Sequence, residues 1–104
     1  MSKYKAQKTM ADGMMFDSKK EEKRYRELRL MERAGVIANL RLQVPFVLFE
    51  KSKYGRKIKY IADFVYEEKN GLTVVEDVKG YKTDVYKLKK RILAELYGIE
   101  VRET

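Results

Sequence analysis

The stretch TVVEDVKG, residues 73–80, decides how this chain is read. Its threonine and valines favour a pleated strand, and Gly80 closes the run with a turn former. Side chains alternate along a strand, so Asp77 and Lys79 share one face while Glu76 points to the other. An acid and a lysine side by side on an otherwise apolar strand call for a partner, a ligand or a reaction.

What lies opposite depends on the residues before it. IKYIADFVYEE, residues 58–68, is a second strand, and Lys69-Asn70-Gly71 is the turn between the two. Two registers are sterically open. A two-residue Asn-Gly loop pairs Asp63 with Val78 and puts Asp63 and Asp77 on opposite faces. A three-residue loop with Gly71 left-handed pairs Glu68 with Leu72 and sets Asp63 across from Asp77. Only the second gathers Asp63, Asp77 and Lys79 on one face, because a one-residue slip exchanges the faces. Directly opposed residues have Cβ atoms ~4.5–5.5 Å apart, and two carboxylates there repel unless a cation lies between them. Ile61 and Val65 share the Asp63 face in this reading, so a lone charge on it is costly. Glu76, on the other face, is expected to meet a lysine or arginine from a packed helix.

Outward from this hairpin the chain alternates helix and strand. FDSKKEEKRYRELRLMERAG predicts a helix capped by Ser18 and stopped by Gly35, with Tyr25, Leu28, Met31 and Ala34 as its buried stripe. Glu21 lies at the edge of that stripe. It is also the last residue of the capping box Ser18-Lys19-Lys20-Glu21, in which it would bond the Ser18 N–H. Residues 36–49 read as extended, with Pro45 marking an edge or a bend, and 51–57 as a basic turn. Thr83 or Asp84 caps a second helix that carries Val85, Leu88, Ile92 and Leu96 on one face and ends at Gly98. A short strand, 99–103, closes the chain. Residues 1–13 read as a basic arm, with Lys3, Lys5 and Lys8 available to phosphates, and 14–104 as a single domain. The order α-β-β-β-α-β predicts an α/β fold with a mixed central sheet flanked by helices.

Composition narrows the chemistry. The 104 residues suffice for one small domain. Lys and Arg number 24 against 16 Asp and Glu, a net charge of +8, which favours a polyanion, nucleic acid before an anionic membrane surface. With no cysteine, neither a disulfide nor a thiolate zinc site is available. With no histidine, Ser-His triads, imidazole acid–base chemistry and most transition-metal sites are excluded as well. Carboxylates and lysines must do any chemistry, and carboxylates suit Mg²⁺. No apolar run approaches the ~20 residues that cross a bilayer, so a cytoplasmic setting is the default expectation.

AD at 62–63, followed across the hairpin by EDVKG at 76–80, resembles the PD-(D/E)XK nuclease signature. FDSKKEEKRY, YIADF, VEDVKG and TDVYKLKKR, taken in order over residues 16–104, resemble a small phage-encoded family of that superfamily. Ala62 stands where the signature has proline. The resemblance implies a restriction-endonuclease-like αβββαβ core and a DNA endonuclease. It implies Asp63, Asp77 and Glu21 as ligands of Mg²⁺, with Mn²⁺ as a substitute, and Lys79 beside the attacking water. Similarity to Holliday-junction resolvases implies branched DNA, a homodimer with one site per opposing strand, and the host cytoplasm for a phage-encoded protein.

Lys53, Arg56 and Lys57 in the basic turn, with Lys82, Tyr86, Lys87, Lys90 and Arg91 at the second helix, are the candidate DNA contacts. Residues 79–91 hold six Lys or Arg against one Asp. Each feature also has a plainer explanation. KLKKR can be a solvated face, Asp77 and Lys79 an ion pair, and Glu21 a cap. The alternatives are a basic nucleic-acid-binding domain without turnover, and a nicking or processing nuclease acting on linear or single-stranded DNA. Metal dependence separates binding from catalysis.

Overall fold

A long antiparallel hairpin carries the sheet. The computed structural model describes residues 9–78 and 82–104. Strands β1 (Thr9–Ala11) and β2 (Met14–Phe16) precede helix α1 (Lys19–Arg33), followed by β3 (Ile37–Phe49), β4 (Ile58–Glu68), β5 (Thr73–Asp77), helix α2 (Asp84–Tyr97) and β6 (Arg102–Glu103). β3, β4, β5 and β6 form one sheet in that spatial order, antiparallel except for the parallel β5–β6 pair. The fold is mixed α/β, and the expected α-β-β-β-α-β order follows an additional hairpin. That hairpin shortens the expected arm: Ala11 and Phe16 are buried in the same cluster, so residues 9–13 belong to the folded domain. Lys3, Lys5 and Lys8 lie outside the described residues. No helix among the described residues is long and apolar enough to cross a membrane.

The β4–β5 turn takes the three-residue form. Gly71 has φ 85°, the Gly71 N–H donates to the Glu68 carbonyl (2.9 Å) and the Glu68 N–H to the Leu72 carbonyl (2.9 Å). The register that follows, Glu67 to Thr73 through Phe64 to Glu76, leads Asp63 to a position across from Asp77. Pro45 sits on β3, an edge strand, the position in a sheet that tolerates proline.

Each face of the sheet has its own core. Phe64, Tyr66 and Val74 pack with Tyr25 and Leu28 of α1, while Val65, Val75, Tyr60 and Ala62 pack with Leu93 of α2 and Val101. Strict alternation would put Ala62 with Phe64, yet the two belong to different clusters. The change of face falls at Asp63 and, on β3, between Leu42 and Val44. Gln43, with φ 52°, supplies the irregularity. Ile61, expected to share an apolar face with Asp63, is therefore 48% exposed.

Two helix-face expectations change. Ala34 is not in the α1 stripe; it is the exposed C-cap, and the stripe is Tyr25, Leu28 and partly buried Met31. On α2, capped by Thr83, the stripe Val85-Leu88-Leu96 faces outward, at 62, 58 and 55% exposure, and only Ile92 of that set packs inward. The inward residues of this helix are instead Tyr86, Ile92 and Leu93, while Tyr97 is itself 52% exposed and reaches β3 through its hydroxyl. The tyrosines of α2 hold this orientation: the Tyr86 hydroxyl donates to Glu103 (2.7 Å) and the Tyr97 hydroxyl to the Val47 carbonyl. Rings with polar tips can be held at both ends, which aliphatic side chains cannot match.

Glu76, fully buried, meets the arginine expected of it. Arg24 of α1 donates from Nε (2.6 Å) and Nη2 (3.0 Å), and Tyr66 (2.6 Å) and Thr104 (3.2 Å) donate their hydroxyls. Burial pushes the Glu76 carboxyl up, but the bonds from Arg24 and Tyr66 outweigh it and hold the group below its ordinary value of 4.5. A depressed carboxyl stabilises the fold fully above its unfolded pKa and loses that contribution as pH falls through its folded pKa. Glu76→Gln should therefore destabilise at neutral pH by on the order of 3 kcal/mol, the cost of stranding a buried partner. In urea melts, the gap from wild type should narrow as pH falls below 4.5.

Candidate functional site

The β4–β5 ladder ends at the Phe64–Glu76 pair, and beyond it side chains replace backbone partners. The Asp63 N–H donates to Asp77 Oδ1 (2.8 Å), and the Val78 N–H donates to Asp63 Oδ2 (2.9 Å). Each carboxylate thus caps the other strand, and both acids are buried, Asp63 at 8% and Asp77 at 0% exposure. Gln43 Nε2 donates to Asp63 Oδ1 (3.3 Å) from a left-handed backbone position. That conformation costs a non-glycine residue ~1–2 kcal/mol, and it lets β3 deliver an amide to the site. Nothing in the sequence singles out Gln43, which reads as an outward polar residue of an alternating strand.

Beside this pair lies a second cluster, built on β6. Glu103 is the parallel partner of Asp77, so Asp63, Asp77 and Glu103 occupy neighbouring positions on three adjacent strands. The Thr104 N–H donates to the Asp77 carbonyl (2.9 Å) and fixes the join. Glu103 takes Lys82 Nζ at 2.9 Å, Lys90 Nζ at 3.3 Å and the Tyr86 hydroxyl at 2.7 Å. The bond from Lys82, then that from Tyr86, pulls its carboxyl down to about 2 against the opposing effect of burial, and Lys90 adds to the pull. Tyr86 moves the other way. Burial first, then its bond to Glu103 and the charges of Asp77, Glu103 and Asp63, hold its hydroxyl far above the ordinary phenol range. The two aspartates therefore lie within electrostatic reach of α2. Glu103 escaped the sequence reading because only a two-residue strand, paired in parallel across the sheet, brings it there.

Lys82, Tyr86, Lys87, Lys90 and Arg91, five of the expected DNA contacts, line one groove of about 510 Å³ with Glu103 and Glu100. Lys53, Arg56 and Lys57 lie elsewhere, on the exposed β3–β4 loop. There Lys53 sits 5.1 Å from the Tyr54 ring centre and Lys57 is 4.0 Å from Glu50. Lys79 is outside the described residues.

Glu21 is buried and lines a recess with Phe16, Leu42 and Gln43, the residue that also bonds Asp63. Its backbone N–H donates to Ser18 Oγ (3.1 Å), one half of the capping box. Among the described residues no three acids are grouped as a metal-holding set. The pair Asp63 and Asp77 is an all-oxygen donor set on a rigid hairpin, the type that suits Mg²⁺, an ion that takes one or two protein carboxylates and keeps its other waters.

The whole chain, residues 1–104, matches the family described as "Protein of unknown function (DUF1064)", and it belongs to that family. No curated protein and no solved structure matches it.

The reciprocal capping makes a prediction independent of activity. Asp77→Asn keeps an oxygen to accept the Asp63 N–H, so its melting temperature should stay near wild type. Asp77→Ala orphans that buried N–H and should cost ~1–3 kcal/mol. Thermal and urea unfolding of the two variants check this; equal losses would contradict the capping role.

Proposed function

We propose that this protein is a Mg²⁺-dependent DNA endonuclease of the PD-(D/E)XK type with a restriction-endonuclease-like core. One observation carries the reading: two buried aspartates cap the open end of the β4–β5 ladder beside a groove lined by four basic side chains and a tyrosine. The αβββαβ order and the mixed sheet are compatible with that core. Asp63 and Asp77 are the residues that would hold Mg²⁺, which when bound polarises a phosphoryl oxygen and lowers the pKa of a bound water. Glu21, whose recess Gln43 shares, is proposed as a further ligand. Gln43 and the N–H groups of Asp63 and Val78 orient the two carboxylates. Lys79, two residues after Asp77, supplies positive charge beside the attacking water, where a fixed cation stabilises the developing phosphorane charge. Lys87 and Arg91 at the groove, with Lys82 and Lys90 held by Glu103, grip flanking phosphates, and the basic turn at Lys53, Arg56 and Lys57 extends the reach. Branched DNA is the substrate we favour, with a homodimer delivering two sites.

Purified protein should cut DNA only with Mg²⁺ or Mn²⁺ present, tested on duplex, single-stranded and four-way-junction forms. Asp77→Asn should lose cleavage by orders of magnitude while affinity holds or rises, because a basic surface becomes more positive. Wild type that binds but cuts none of these forms, with Asp77→Asn indistinguishable from it, would make the chain a binding module.

Glu21→Gln tests the remaining ligand. Glutamine can close the same capping box, so stability should hold in either case. A ligand role predicts reduced cleavage and a higher Mg²⁺ requirement. Unchanged activity returns Glu21 to helix capping.

A further inference from the structure

The C-terminal end of β6 divides its side chains between the two faces of the sheet. Glu103 reaches the α2 groove, whereas Thr104, the next residue, donates its hydroxyl to Glu76 on the α1 side. Thr104 and Val78 line a second recess there, of about 210 Å³, with Lys20, Lys23, Arg24 and Glu27 of α1. Two recesses with basic walls thus flank the same edge of the sheet, and both touch residues bonded or adjacent to Asp77.

Their charge is committed differently. Three of the four acids on α1 pair with arginines: Glu22 with Arg26, Glu27 with Arg24 and Glu32 with Arg29. Among the described residues no ion pair joins Lys19, Lys20 or Lys23 to an acid. On the α2 side Lys82 and Lys90 share Glu103, and Arg91 pairs with Glu95. Lys19 and Lys20 also stand in the first turn of α1, the end of the helix dipole that disfavours cations and favours anions. Among the described residues, lysines outside any ion pair therefore stand on α1 as well as on α2 and the β3–β4 loop, and α1 is the helix whose basic residues the DNA-contact expectation leaves out.

We propose that the α1 recess, walled by Lys20 and Lys23 with Lys19 one helical turn before Lys23, is a second phosphate-binding surface, and that one nucleic-acid molecule grips both recesses across β6. This rests on the proposed reading of the α2 groove as a nucleic-acid interface. A ligand lying only in the groove would contact Lys82 and Lys90, which already share Glu103, Arg91, which pairs with Glu95, and Lys87. One that crosses the strand end meets the α1 lysines within the same footprint.

The test is the salt dependence of binding to a labelled four-way junction in EDTA. Each lost phosphate contact removes ~0.9 from the slope of log affinity against log salt. Lys19→Gln/Lys20→Gln/Lys23→Gln should therefore reduce the slope by about 2–3 and weaken binding at least tenfold at low salt. The corresponding Lys→Arg triple, which keeps the charge, should keep both slope and affinity. Adding Lys87→Gln/Lys90→Gln/Arg91→Gln should reduce the slope further by the amount that change produces alone, with the stoichiometry unaltered. An α1 variant that melts like wild type and keeps its slope, while the α2 variant loses its own, overturns the proposal and leaves the groove reading standing. Wild type that does not bind, or an α2 variant that also changes nothing, defeats the groove reading itself.

Discussion

The hydrogen bonds that close the turn at residues 69–71 fix the register of β4 on β5, and the two faces of the sheet depend on it. A slip of one residue would carry Glu76 out of reach of Arg24 and move Asp77 toward the α1 core. Either change would leave a buried carboxylate without donors, at a cost far above that of a surface charge. The same register that satisfies Glu76 therefore places Asp77 across from Asp63. Gly71, left-handed at φ 85°, makes this loop length inexpensive.

Adjacent acids consequently have opposite surroundings. Glu76 is surrounded by Arg24, Tyr66 and Thr104; it joins α1 to the sheet. Asp77 takes a backbone N–H from Asp63 and sits beside Tyr86 and Glu103 on the α2 side. A carboxylate that closes a strand end through a backbone N–H is oriented by the sheet itself.

Among the described residues arginines make most of the ion pairs, and Lys57, Lys82 and Lys90 make the rest. Arg24, Arg26, Arg29, Arg91 and Arg102 all pair with glutamates of the chain. The planar guanidinium fork matches a carboxylate and loses less freedom in doing so. Among the described residues, Lys19, Lys20, Lys23, Lys87 and Lys89 enter no such pair. Much of the net charge of +8 is thus on strongly hydrated, flexible ammonium groups suited to a moving polyanion.

Local chemistry was legible in the residues. Val and Thr runs closed by Lys69-Asn70-Gly71 gave the hairpin and left two registers open, of which the one collecting the acids is adopted. Ser18, Thr83 and Gly98 set helix ends where their side chains or left-handed backbone require, and a buried Glu76 demanded a cation from a packed helix. Other features needed the folded chain. Two faces of α2 carry apolar residues, and periodicity cannot rank Val85-Leu88-Leu96 against Tyr86 and Leu93; packing on the sheet and the Tyr86 bond to Glu103 do so. Gln43 and Glu103 reach the aspartates from strands distant in sequence, one through an irregular backbone and the other through a parallel pairing. The residues alone were enough to locate the helix caps and the turn at Lys69-Asn70-Gly71, because these follow from bonds between near neighbours. Only the tertiary structure decided which helix face turns inward and which distant side chains meet the aspartates, because those depend on contacts between segments far apart in the chain.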